Sequence, residues 1–202
     1  MPKIIDKDVK KMEILHVAMR VFARKGVVKT KMIDIATAAG IGKGTIYEYF
    51  SSKEDIFKNA FVFFFQNLEN SIQHVLSRTE DPVEQLNLLM ETSVESILHG
   101  EEGFAEIMMD FWAEGVRNKD REVLDVVDLK GIYASYRKVI KKIIDNGIKQ
   151  GVFREMDSTI VASILIGALD GIMLQWILDR KAMNIRKGYQ VLLKSMLEGI
   201  KL

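Results

Sequence analysis

A chain of 202 residues with 48% apolar and 28% charged side chains can bury a substantial core in one or two domains. It has no cysteine, which excludes disulfides, thiolate nucleophiles and Cys-ligated zinc, and its only prolines, Pro2 and Pro82, leave helices almost uninterrupted. The net charge is +1, but residues 1–58 carry twelve Lys and Arg against seven Asp and Glu, and the remainder carries 17 against 21. A basic segment thus precedes an acidic body, a distribution that suits a nucleic-acid reader attached to a second domain. The N-terminal MPKIIDKDVKK lacks the apolar run of a signal peptide, and no uninterrupted apolar stretch is long enough to span a bilayer, so a cytoplasmic protein is expected.

Residues 1–8 read as an arm, with Lys3 and Lys7 available to phosphates. From Val9 to Lys25 the positions Ile14, Leu15, Ala18, Val21 and Phe22 follow helical spacing, and Gly26 ends that helix. Thr30 is a suitable N-cap for a second helix. Asp34 places a negative charge in that helix's first turn, and Met32, Ile33, Ile35, Ala36 and Ala39 provide a small apolar face. Gly40 suits a left-handed C-terminal residue, and Ile41 can turn inward after it. A third helix is expected from Lys43 to Tyr49. Its Ile46 and Phe50 point one way, Lys43, Gly44, Tyr47 and Glu48 point the other, and Thr45 and Tyr49 lie on the flanks. The outward set offers a cation, a close backbone approach and hydroxyl donors, as a DNA groove requires. Glu48 is either a specificity residue accepting from a cytosine amino group or a solvated bystander.

Helix, tight turn and short helix form the layout of a helix-turn-helix reader. The run GTIYEYFSSKEDIF, with MEILHVAMRVFARKGVVKTKMIDIATAAGIGKG before it, resembles the TetR (tetracycline-repressor-like) family of bacterial transcriptional regulators over about residues 10 to 58. That resemblance implies DNA contacts, mostly to phosphates, from Thr30, Lys43, Thr45, Tyr47, Tyr49 and Lys53, with Gly42, Gly44 and Glu48 completing the candidate reading surface. Many members carry Ser where this chain has Gly42 and His where it has Glu48, which bears on the operator sequence rather than the fold.

Ser52 opens a fourth helix, and Ser52-Lys53-Glu54-Asp55 has the spacing of a capping box with Asp in place of Glu. Ile56 through Leu76 continue it for about six turns, linking reader to body. Pro82 is well placed at the start of a helix ending near Gly100. A helix bearing Phe104, Ile107, Met108, Phe111 and Trp112 follows Gly103, and a long stretch runs from Arg121 to Asn146. Ser158 to Leu178 is apolar nearly all round, with Ala162, Gly167, Ala168 and Gly171 small enough for another helix to approach. Ile185 to Ile200 is amphipathic. The family resemblance pairs these last two helices with their copies in a homodimer, and the alternative is a monomer in which they are core. The expected architecture is all-α: about nine helices, with a helix-turn-helix DNA-binding domain over 1–58 and an effector-binding and dimerisation domain over 59–202.

His16, His74 and His99 are isolated, no Gly-rich phosphate loop is present, and the acid pairs Glu54-Asp55 and Glu101-Glu102 sit at helix starts. No enzyme activity, metal or cofactor is expected. A small, largely apolar effector could instead bind among Phe65, Phe104, Met108, Phe111, Trp112, Tyr133, Tyr136, Asp170, Met173 and Trp176, although aromatic and Met stripes are more often core. Asp170 interrupts an apolar helix, where it can cap a backbone group, pair across a dimer or meet a ligand cation. With the family resemblance, which alone implies repression rather than activation, these features lead to the expectation of a ligand-responsive repressor that binds a palindromic double-stranded DNA operator as a homodimer and stays off the membrane. The contrasting reading is a helical small-molecule-binding or interaction module without specific DNA binding.

Overall fold

The computed structural model describes residues 7–98, 105, 107–109 and 128–202. Its helices are α1 (Lys7–Lys25), α2 (Met32–Ala38), α3 (Lys43–Tyr47), α4 (Lys53–Leu76), α5 (Pro82–Leu98), α6 (Leu129–Lys149), α7 (Ser158–Leu178) and α8 (Ile185–Ile200). Ala105 and residues 107–109 are also helical. No strand occurs among the described residues, where one antiparallel bridge pairs Phe153 with Lys201. The fold is all-α. The chain divides within α4 into two compact units, residues 1–67 with 99–128 and residues 68–98 with 129–202.

In the first unit α1 packs on α2, and α2 on α3. Ile14, Leu15, Ala18, Met19 and Phe22 of α1 are buried, as are Ile35, Ala36, Ile46 and Phe50. Ile33, expected on the apolar face of α2, is exposed instead, because a seven-residue helix has only about two turns and its inner face is taken by Ile35 and Ala36. Phe22 meets Phe57 of α4 edge-on at 5.6 Å, and Phe57 lies 4.6 Å from Phe61, so aromatic packing fixes the start of α4 against α1.

In the second unit α6 and α7 pack together, α8 lies against α7 and α5, and α5 against α6. Their shared core includes Leu86, Leu89, Val94, Ile140, Ile144, Leu165, Tyr189 and Leu193. Polar caps set the helix starts. Asp157 accepts from the Thr159 and Ile160 N–H groups, Asn184 from the Lys187 N–H and Asp81 from the Val83 N–H, with Pro82 in the first turn where its missing donor costs nothing. Gly131 lies inside α6, while residues 121–127 of the helical stretch expected from Arg121 to Asn146 lie outside the described residues.

Among the described residues, α7 alone is long and apolar enough to cross a membrane by length and composition. The mean hydropathy of its most apolar window is 1.9, and only 22% of that window is buried within the chain. Ile160, Ile164 (63% exposed) and Leu178 (77%) face outward with Gly167 between them, and Val191 of α8 is exposed as well.

Candidate functional site

The reader is built around two glycine turns. Gly26 and Gly40 have φ of +74° and +64°, the left-handed conformation that side chains resist. After Gly40 the Ile41 N–H donates back to the Ala36 carbonyl at 3.0 Å, closing α2 and aiming the chain into α3.

The start of α2 differs from expectation. Its N-cap is Lys31, not Thr30, and the Asp34 carboxylate reaches back to accept from the Lys31 N–H at 2.9 Å. Thr30 is 1% exposed and donates its hydroxyl to the Gly26 carbonyl at 2.8 Å, so in this conformation its proton holds the turn. Asp34 also meets Lys25 Nζ at 2.8 Å, joining the end of α1 to the start of α2.

Lys25 first, and then the Lys31 N–H, hold the Asp34 carboxyl below its ordinary 3.8. A folded value below the unfolded one means stability is present above the unfolded pKa and lost as pH falls through the folded value. Asp34→Asn is therefore expected to melt below wild type at pH 7, with the gap closing below about pH 4. A gap that stays constant across a melting series from pH 7 to pH 3 would show that the charge on Asp34 is not what matters.

Regular α3 ends at Tyr47, two residues short of the expected Tyr49. The Phe50 N–H still donates to Ile46 at 3.0 Å, but residues 48–49 form a turn that drives Phe50 into the core. Ile46 and Phe50 are buried, and Lys11 Nζ lies 5.4 Å from the Phe50 ring centroid. Gly42, Lys43, Gly44, Tyr47 (49% exposed) and Glu48 are exposed together, with Thr45 and Tyr49 half-buried beside them. A Cβ at Gly44 would meet no atom within 4 Å, so nothing in the fold requires glycine there.

At the start of α4, Ser52 Oγ accepts from the Asp55 N–H as expected. The Asp55 carboxylate instead turns to the backbone N–H and hydroxyl of Ser51, one residue before the capping-box partner. Lys53 Nζ donates to the Val27 and Val28 carbonyls at 2.9 and 2.8 Å and lies 3.9 Å from Glu54 Oε1. Sequence spacing did not foretell this latch, since 25 or 26 residues separate the partners.

The candidate effector residues divide between the units. Phe104, Phe111 and Trp112 lie outside the described residues. Phe65 and Met108 belong to the first unit, Met108 buried and Phe65 half-buried with its ring centroid 5.3 Å from that of Phe64. The second unit brings Tyr133, Tyr136 and Asp170 together. Tyr133 donates its hydroxyl to Asp170 Oδ2 at 2.7 Å, and the Tyr136 hydroxyl is hydrogen-bonded to Ser93 Oγ. Met173 is buried, and Trp176 lies under the Arg180 guanidinium at 4.0 Å. Burial raises Asp170 despite the Tyr133 hydrogen bond, and burial pushes Tyr136 up to about 12. Ser93 and Tyr189 were missed as polar members of this cluster. A Ser inside the Leu89–Met90–Val94 stripe was the available signal for the first.

The model of the tetR family of bacterial regulatory proteins matches residues 14–60, and that of the C-terminal part of BetI-type transcriptional repressors matches residues 82–200. The chain belongs to the tetR family of bacterial regulatory proteins. This family member is a transcriptional repressor with an N-terminal helix-turn-helix that binds DNA. The repressor KstR2 of Mycolicibacterium smegmatis is 31% identical over 142 residues, covering 70% of this chain and 66% of that protein. The fatty acid metabolism regulator protein of Bacillus subtilis is 26% identical over 199 residues, 95% of each chain. A transcriptional regulator from Saccharomonospora viridis solved in complex with choline superposes with a TM-score of 0.82 at 26% identity, covering 96% of this chain and 99% of that one.

Proposed function

We propose that this regulator acts in the cytoplasm as a homodimer, each subunit placing α3 in a major groove of a palindromic operator, and that a small, largely apolar effector bound in the body releases it. Residues 1–58 form the reader in this scheme and residues 59–202 the effector-binding and dimerisation part, with no reaction catalysed. The observation that carries the reading is the two-sidedness of α3. Ile46 and Phe50 anchor it, while Lys43, Gly44, Tyr47 and Glu48 stand exposed on the other side. The exposed apolar face of α7, continued by Val191 of α8, supports pairing with a second copy, because a face of that composition is costly to leave in water. A two-fold dimer makes the operator palindromic. An effector releases DNA by as much as it prefers the body conformation in which the two readers are wrongly spaced.

The test is selection from random duplexes at moderate salt, with an enriched palindrome as the expected result. On the selected site, Lys43→Ala should reduce the slope of log affinity against log salt by about one. Gly44→Ala should keep or raise thermal stability, since alanine favours the helix by about 1 kcal/mol, yet weaken operator binding by blocking close approach. No enriched sequence, or wild-type affinity in both variants, would overturn the assignment of α3 as the reader.

A further inference from the structure

Three consecutive carbonyls lead out of α1 towards α2, and each accepts from a side chain. The Gly26 oxygen takes the Thr30 hydroxyl at 2.8 Å, and the Val27 and Val28 oxygens take Lys53 Nζ at 2.9 and 2.8 Å. The Val27 oxygen also accepts the Thr30 N–H at 3.3 Å. These oxygens lie just past the C-terminal end of α1, where the helix dipole favours a cation, and Lys53 supplies it from the first residue of α4. Thr30 and Lys53 were both expected at phosphates, and in this structure both donate to the turn instead.

Twenty-five residues separate Val28 from Lys53, and that interval holds the whole of α2 and α3. The latch thus closes a ring around the helix-turn-helix: the chain leaves α1 at the turn, runs through both short helices and returns to the same turn at the start of α4. Helices of seven and five residues are too short to be stable alone, so their placement depends on how the ends of the segment are held. Phe22 against Phe57 holds those ends on the apolar side, and Lys53 holds them on the polar side. As a phosphate ligand Lys53 is poorly disposed. It is half-buried, its Nζ is committed to two carbonyls, and Glu54 Oε1 at 3.9 Å offsets part of the charge that a phosphate would meet.

We propose that Lys53 is a positioning residue for operator binding: it latches the start of α4 to the turn after α1 and so presents α3 already oriented for the groove, rather than meeting a phosphate itself. The inference rests on the reading of α3 as the reader given above. Pre-organisation raises affinity by avoiding the ordering of the segment on binding, and that gain is the same at any salt concentration. A phosphate contact, by contrast, weakens as salt rises.

Full-length Lys53→Met, similar in length but without donors or charge, separates the two roles on the operator selected with wild type. The loss of two charge-assisted hydrogen bonds should lower Tm by about 2–6 °C. At a temperature where circular dichroism shows it fully folded, the variant should bind operator about tenfold more weakly at every salt concentration, with the slope of log affinity against log salt as in wild type. Lys43→Ala, whose slope should fall by about one, is the control on the same duplex. Lys53→Gln removes the charge but keeps N–H donors. It should lie between wild type and Lys53→Met, and it supplies the same comparison should Lys53→Met not fold. A slope reduced by about one with Tm unchanged would make Lys53 a phosphate contact. A lower Tm with wild-type affinity in the folded variant would make the latch purely structural, and wild-type values of both would leave it without a role. Each of these outcomes overturns the inference while α3 remains the reader. A wild type that selects no operator overturns the reader assignment and this inference with it.

Discussion

Ile164→Asp is expected to yield a folded monomer that no longer holds its operator. The side chain is 63% exposed within the chain, so the substitution creates no cavity, and aspartate in a helix interior costs well under about 1 kcal/mol of intrinsic propensity. In the dimer proposed here the same position is covered by a second copy of α7. Each interface then receives two desolvated, unpaired charges related by the two-fold axis, at a cost of several kcal/mol apiece. Losing the dimer removes the effective concentration that lets the second reader follow the first, about 10²–10⁴-fold in affinity. Analytical ultracentrifugation at micromolar concentration, with circular dichroism to establish folding, provides the check. A variant that still sediments as a dimer and binds operator normally would place the subunit contact elsewhere.

Gly147→Ala should be the most damaging single-methyl change in the second unit. A Cβ at that position would lie 2.1 Å from Phe153 Cδ2 and 2.4 Å from Cε2. The ring cannot easily withdraw. Phe153 is 1% exposed, and its N–H and that of Val152 both donate to the Gly147 carbonyl. The Arg154 N–H donates to Ile200 and the Leu202 N–H to Val152, tying the turn after α6 to the chain's last residues. Overpacking of this kind costs about 1–3 kcal/mol, and for a protein of this length each kcal/mol lowers Tm by roughly 2–4 °C. Phe153→Ala alone should cost about 3–5 kcal/mol. In the double variant the methyl group occupies space vacated by the ring, so the total should fall clearly short of the sum. Strict additivity in thermal melts would show that the two positions do not interact as the geometry requires.

Local pattern carried much of this architecture. Ser158–Leu178 and Ile185–Ile200 were legible to the residue because continuous apolar content or a helical stripe runs between polar capping residues, Asp157 and Asn184 among them. Gly26 and Gly40 marked turns for the same local reason, since a left-handed residue must be nearly free of side-chain sterics. The inward pair Ile46 and Phe50 followed from four-residue spacing alone. Boundaries were weaker where two residues compete for one role. Thr30 and Lys31 both precede α2, and Thr30 was drawn away by the Gly26 carbonyl.

Nothing in the sequence announces that Lys53 reaches across to Val27 and Val28, that Asp34 holds Lys25, or that Gly147 is a seat for the Phe153 ring. Nor does spacing place Ser93 on Tyr136, or Asp170 on Tyr133, across 43 and 37 residues. By itself the sequence determined which segments are helical, which end carries the reader and which side chains that reader exposes, because helix periodicity, caps and glycine turns act within a few residues. Only the tertiary structure decided the partners of the buried polar groups and the face of α7 left uncovered. Those depend on which helices meet and at what register, and the energies that select the register are summed over the whole core.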